Sequence, residues 1–357
     1  MTLKSNLKSS IGILCLILVS STALAQIRGN GNVVQMTRDI SSFSGISIRS
    51  GIDLFIQQGS SISLEIKADE NLQEHIITEV KDDILYIYVE KDARIWHSKA
   101  MEAYITVTDL ESVSISGGGD VEGLSAIQSE NLEISISGGG DLNMELNAGK
   151  VRSDMSGGGD IDLKGDIQDF ELELSGGGDL ELNAEVGLLG VSISGGGDAH
   201  IDGGTKVSDA NILISGGGDL DMVLECAKLK IGISGGGDAK VKAGPEVDEA
   251  KVSITGGGDL ELALEAKNLY LTVGSGGDAT LVGSSVALSA EIKSGGDLYA
   301  SEFKTEEVML RLTGGSDARV YVTGQLNVEA SGGGQIYVSG DPRINANLSG
   351  GSKIHKK

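Results

Sequence analysis

The phrase Ser-Gly-Gly-Gly-Asp constrains this chain more than any other feature. It occurs whole at 116–120, 137–141, 156–160, 175–179, 194–198, 215–219 and 234–238, and with Thr for Ser at 255–259. Degenerate copies end at Asp278, Asp297 and Asp317, then at Gln335 and Lys353, where the acid is lost. Successive copies lie 18 to 21 residues apart. Self-similarity at so short a period marks a stacked architecture, in which each repeat buries its apolar face only against its neighbours.

Between the phrases, apolar residues alternate at period two. Ile134 and Ile136 lead into one corner, and Leu142, Met144 and Leu146 lead out. The same holds for Leu172 and Leu174, Ile212 and Ile214, and Val252 and Ile254, each followed by a matching run. Period two means strands with one buried face. Glycine tolerates positive φ and carries no side chain, so each triplet reads as a sharp corner. Its Asp can accept hydrogen bonds from backbone N–H groups freed there. Positions one and three after a corner are then inward, and two and four outward. Ile136, Leu174, Ile193, Ile214, Ile233 and Ile254 are expected to stack inside. From Asp179 to Asp317 the residue after the corner alternates as Leu180, Ala199, Leu220, Ala239, Leu260, Ala279, Leu298 and Ala318, a super-repeat near 40 residues. Large over small in successive coils is how layers interdigitate at constant volume. Each short repeat reads as one coil of two or three strands, with a coil of twice that length as the alternative.

The 54 glycines sit mainly at corners, and with only 2 prolines a collagen-like chain is excluded. Aromatic residues are 3%, so the interior must be aliphatic. A net charge of -24 argues against nucleic acid or an anionic membrane as partner, and it resists lateral association. Lys4 and Lys8, an apolar run at 11–19 and Ala23-Leu24-Ala25 compose a signal peptide over 1–25. The expectation is export, to the periplasm, the outer surface or the medium. No later stretch is apolar enough for an integral membrane segment once the signal is cleaved. Cleavage would leave Cys226 alone, which precludes an intrachain disulfide.

Residues 26–110 differ from the repeats of 111–357: corners are fewer and the lone Trp96 is here. Strands are predicted at 46–48, 52–56, 62–66, 84–89 and 104–107, with a turn of helix over 70–77. In Leu85-Tyr86-Ile87-Tyr88-Val89 the aliphatics take one face and the tyrosines the other. Asp82-Asp83 stands where an Asn/Asp-Gly turn is expected, and 94–99 reads as a loop.

The stretch Arg38-Asp39-Ile40-Ser41-Ser42-Phe43-Ser44-Gly45-Ile46, then Gly51-Ile52-Asp53-Leu54, Gln57-Gln58-Gly59 and Ala68-Asp69-Glu70-Asn71-Leu72, resembles the head GIN domain family. The Ser-Gly-Gly-Gly-Asp corners resemble that family's Ser-Gly-x-x-Asp repeats, so the likeness spans nearly all of the chain after 25. Proteins of the family come largely from Bacteroidetes-type bacteria and are labelled autotransporter adhesins. The resemblance implies an all-β fold, a right-handed parallel β-helix (solenoid) with an N-terminal β-rich capping region. It implies no activity. A translocator barrel is not expected, because one short repeat follows Gly350-Gly351-Ser352. The closing Lys353, Lys356 and Lys357 read as a basic final turn, an end cap against further stacking.

Calcium is the first ligand that glycine-and-aspartate repeats suggest. Here Asp directly follows the third Gly and the period is near 20, unlike the nonapeptide calcium repeat. Stacking would still align eleven corner aspartates in one row. At ~4.8 Å per coil neighbouring charges repel by about 0.9 kcal/mol in water, tolerable if each carboxylate accepts backbone N–H bonds. The row is therefore read as structural: no metal, no cofactor, and little response to calcium. His75, His97, His200 and His355 have no ligand spacing. Corner serines such as Ser156 and Ser175 lack a repeated His partner, and no Lys-Ser/Thr follows the Gly runs. No catalytic residue is assigned. The function expected is a non-catalytic structural or adhesin-like binding module with a glycan or surface protein as ligand. The alternative is a carbohydrate-active β-helix enzyme, a polysaccharide lyase or hydrolase. The candidate ligand-binding residues are Tyr299, Tyr321 and Tyr337, outward at positions two or four of C-terminal coils, with Arg319 beside them.

Overall fold

The computed structural model describes residues 26–204 and 207–357. The expected signal segment, 1–25, lies outside the described residues. The chain forms a parallel β-solenoid of about 13 turns, with a single short 3-10 helix among the described residues at Glu70–His75.

The period-two pattern stacks as expected. Ile115, Ile136, Met155, Leu174, Ile193, Ile214, Ile233 and Ile254 face one another in unbroken parallel register. All are buried. The alternating column runs Leu180, Ala199, Leu220, Ala239, Leu260, Ala279, Leu298 and Ala318 in register, each at most 3% exposed. A short coil is therefore one turn, carrying two strand segments.

The segments meet at a bend that carries no Ser-Gly-Gly-Gly-Asp phrase. In Leu142–Met155 the inward residues are Leu142, Met144, Leu146 and Ala148, then Val151, Ser153 and Met155. Gly149 and Lys150 both stay out of the core, and this one extra non-core residue turns the chain while keeping the same face inside. The longer repeats carry two extra residues close by. Leu224 pairs with Ala243, an offset of 19, whereas Lys228 pairs with Glu249, an offset of 21.

The glycine corners are built differently from the expectation. In the whole phrases no glycine has positive φ. What demands glycine is backbone proximity between coils: a Cβ on Gly176 would fall on the carbonyl oxygen of Gly157, and one on Gly178 on that of Gly159. The middle residue, Gly177, faces open space. Among the corners, the left-handed region is used where a side chain replaces the first glycine, at Ser50 with φ 69°, Ser275 with φ 60° and Ser294 with φ 56°, and in the corners after Asp297.

The N-terminal region carries the stack into a cap. Gly45–Ile48 and Asp53–Gln58 lie between Ser112–Ile115 and Val121–Gly123 on one side and Ile84–Val89 and Met101–Val107 on the other, all parallel. Antiparallel partners then end the ladder: Ile76–Lys81 on Ile84–Val89, Ser63–Asp69 on Met101–Val107, and Val33–Thr37 outermost. Arg94–His97, expected as a loop, is a strand paired with Gln26–Arg28, a contact too distant in sequence to foresee. Asp82 and Asp83 both take positive φ, 50° and 60°, so the Asp pair makes the tight hairpin turn without glycine. Asp69 is fully buried and accepts backbone N–H bonds from Gly31, Lys99 and Ala100, tying the two outer loops together. Burial alone would raise its pKa, but the N–H donors together hold it below the usual carboxylate value.

Candidate functional site

Three of the four expected residues meet in one outward row. Tyr299 lies opposite Arg319, and Arg319 opposite Tyr337, on successive coils. The guanidinium carbon of Arg319 is 5.0 Å from the Tyr299 ring centre and 5.3 Å from that of Tyr337. His355 extends the row by stacking on Tyr337, centroids 5.0 Å apart and planes inclined at 19°. His355 was not anticipated, although it too stands two positions past a corner residue, Lys353. Tyr321 is apart. A bulge at 301–303 lets Phe303 into the core and leaves Tyr321 opposite Lys304 and Ser339, in the row two positions on.

Parallel stacking at strand spacing holds cation and rings face to face, the geometry of cation–π attraction. Tyr299 donates its hydroxyl to Asp297 Oδ2 at 3.3 Å, and His355 Nε2 lies 2.8 Å from Gln335 Oε1. Burial, then the charges of Asp278 and Asp297, push the Tyr299 phenol above its usual pKa, so it remains a hydrogen-bond donor. Tyr299, Arg319, Tyr321 and Tyr337 are half-buried, and His355 is exposed.

The aspartates form a second continuous row. Asp53, from Gly51-Ile52-Asp53, heads it, so twelve carboxylates line up rather than eleven. Each Oδ1 accepts the backbone N–H of the next corner residue at 2.7–3.1 Å, ending with Gln335 on Asp317. That N–H bonds to a carboxylate rather than to a backbone carbonyl, which is the physical reason for Asp at the corner. A groove of about 920 Å³ follows the row past Asp141 to Asp259. Asp53 and Asp278 titrate above the usual carboxylate value, chiefly through burial, reinforced by neighbouring aspartates against the bond each accepts. Among the described residues no three His, Cys, Asp or Glu side chains converge as a metal site. Cys226 is buried, and burial pushes its thiol up to about 12, so it stays protonated.

Among solved structures, the chain resembles a "putative adhesin" from Parabacteroides distasonis at 15% identity and TM-score 0.33, over 93% of this chain and 100% of that one. It also resembles a "putative adhesin" from Parabacteroides merdae at 16% identity and TM-score 0.29, over 93% and 99%. A "putative lipid binding protein" from Parabacteroides distasonis aligns at 15% identity and TM-score 0.28, over 93% and 100%. No curated protein matches. No helix among the described residues is long and apolar enough to cross a membrane. The sequence pattern described as "Putative auto-transporter adhesin, head GIN domain" matches residues 42–186 and 240–342, well over half of the sequence, and the chain therefore belongs to the head GIN domain family.

Proposed function

We propose that this chain is an exported, non-catalytic binding module of the adhesin kind, a rigid acidic solenoid that presents a ligand surface on its C-terminal coils. Membership of the head GIN domain family supports the adhesin-like reading. The signal-like composition of 1–25 supports export. The observation that carries the site is the row Tyr299, Arg319, Tyr337, with Tyr321 beside it, in a chain otherwise poor in aromatics. Arg319 lies over a face of Tyr299 and of Tyr337, and His355 stacks on Tyr337. At Tyr337, covered from both sides, contact with a glycan or a surface protein therefore falls to the phenol edge and hydroxyl, beside the guanidinium rim of Arg319.

The test is an array of glycans and surface proteins probed with chain 26–357, wild type against the Tyr299/Tyr321/Tyr337→Ala triple variant. The expected result is a defined set of ligands whose retention falls at least tenfold or so in the variant, with circular dichroism and melting unchanged, as removal of clustered aromatic contacts predicts. Retention per folded molecule that is unchanged in the variant would make the row a structural ladder.

A further inference from the structure

The other outward face of the C-terminal coils, on the strand segment that leads into the corners, carries a notch. One row there reads Lys251, Tyr270, Ser289, Met309, Asn327 and Asn345 in register. Small residues, Ser289 and Ala287 of the row beside it, floor a cavity of about 350 Å³. Tyr270 on the preceding coil and Met309 on the following coil wall it; they are 45% and 62% exposed. The two backbones are two coils apart, ~9.6 Å. A slab-like group held at ~4 Å from each wall fits that gap.

Lys251 lies over the Tyr270 ring from the coil before, 5.9 Å from its centre, which leaves the opposite ring face toward Ser289. The rim is made of carboxamides. Asn327 Oδ1 accepts from Gln325 Nε2 at 3.1 Å, which leaves the Asn327 amino group to donate outward. Asn268 brings a second amide to the same notch. Charge is balanced: in this row and the one beside it, Lys251 and Arg343 offset Glu249 and Glu307, in a chain of net charge -24.

We infer that this notch is a subsite for an uncharged pyranose, clamped between Tyr270 and Met309 and hydrogen-bonded by Asn268, Gln325 and Asn327. A pyranose has an apolar C–H face for the ring and thioether, and hydroxyls that both donate and accept, as carboxamides do. A phosphate or carboxylate would meet Glu307 with no free cation lining the notch. The notch shares no residue with the Tyr299 row and stands or falls independently of it.

The test uses chain 26–357 with ¹³C-methyl methionine, titrated with neutral methyl pyranosides and their oligosaccharides to tens of millimolar. The Met309 resonance, identified by its loss in Met309→Leu, is expected to shift and saturate. Tyr270→Ala should weaken that response about tenfold, the scale of one lost aromatic contact. Ser289→Trp, which fills the notch from an outward position, should abolish it. The Tyr299/Tyr321/Tyr337→Ala variant should leave it unchanged, which separates this subsite from the other row. No saturable Met309 shift with any neutral pyranoside, or a shift indifferent to Tyr270→Ala and Ser289→Trp in folded protein, would overturn the assignment. So would a response to glycosides that carry sulfate or carboxylate alone.

Discussion

At the scale of single residues, the glycine triplets are not three equivalent residues. Gly176 and Gly178 sit under carbonyl oxygens of the coil before, and a methyl group at either would force two stacked backbones apart. Gly177 has neither positive φ nor a neighbour within reach. Gly176→Ala and Gly178→Ala are therefore expected to destabilise by about 1–3 kcal/mol, the cost of overpacking. Gly177→Ala should stay within about 0.5 kcal/mol of wild type. Thermal melts of the three variants decide the matter: equal losses at all three positions would mean that turn conformation, not coil spacing, sets the glycine requirement. The same logic explains Ser275 and Ser294, where a side chain in the first-glycine place goes with a left-handed corner.

At the scale of an element, Asp278 of the aspartate row and Asp69 of the cap are held in opposite senses. Asp278 has a raised pKa in the fold, so the folded state binds its proton more tightly than the unfolded chain does. Its ionisation subtracts stability as pH rises from the unfolded value through the folded one. Asp278→Asn keeps an acceptor for the N–H of Asp297 while removing the charge. It should raise the melting temperature at pH 7, with the gain vanishing as pH falls below the ordinary carboxylate range. Asp69 is the reverse. Its pKa is lowered, so its contribution is present above the unfolded value and is lost as pH falls through the folded one. Asp69→Asn turns an amide N–H₂ toward backbone donors and should cost about 1–3 kcal/mol at pH 7, less in acid. Melting curves of both variants from pH 3 to pH 8 test the pair; shifts of the same sign at neutral pH would refute the distinction.

At the scale of the whole molecule, each coil touches mainly its two neighbours, so stability is a sum of stacking terms and interior coils are interchangeable. Excision of 180–198 removes one 19-residue turn and leaves Ile161 opposite Ala199 in the column where Leu180 now stands between them. The shortened chain should remain soluble, β-rich and cooperative in unfolding, with a melting temperature a few degrees lower. Excision of 26–111 removes the antiparallel strands that end the ladder and bares the edges of Ser112–Ile115 and Val121–Gly123. That chain should self-associate, as unprotected strand edges do. Light scattering and circular dichroism of the two truncations give the readout; aggregation of the first, or a monomeric second, would contradict a nearest-neighbour stack closed by its cap.

The sequence alone determined the strands, the direction of stacking, the inward columns and the alternation of Leu180 with Ala199, because a period of two and a repeat near 20 leave few ways to bury an aliphatic face. It also placed Tyr299, Arg319 and Tyr337 on outward positions, since counting from a corner gives orientation directly. What it could not give was distance between coils and identity of neighbours. Gly176 needs to be glycine because of Gly157, 19 residues earlier, and Asp53 joins the aspartate row although 67 residues separate it from Asp120. Arg94–His97 is a strand because Gln26–Arg28 lies beside it. The notch between Tyr270 and Met309 likewise exists only where Ser289 comes between them in space. Periodicity is local and can be read along the chain. Register between coils is set by tertiary packing, and it is register that decides which backbones press together, which side chains share a row and where a cavity opens.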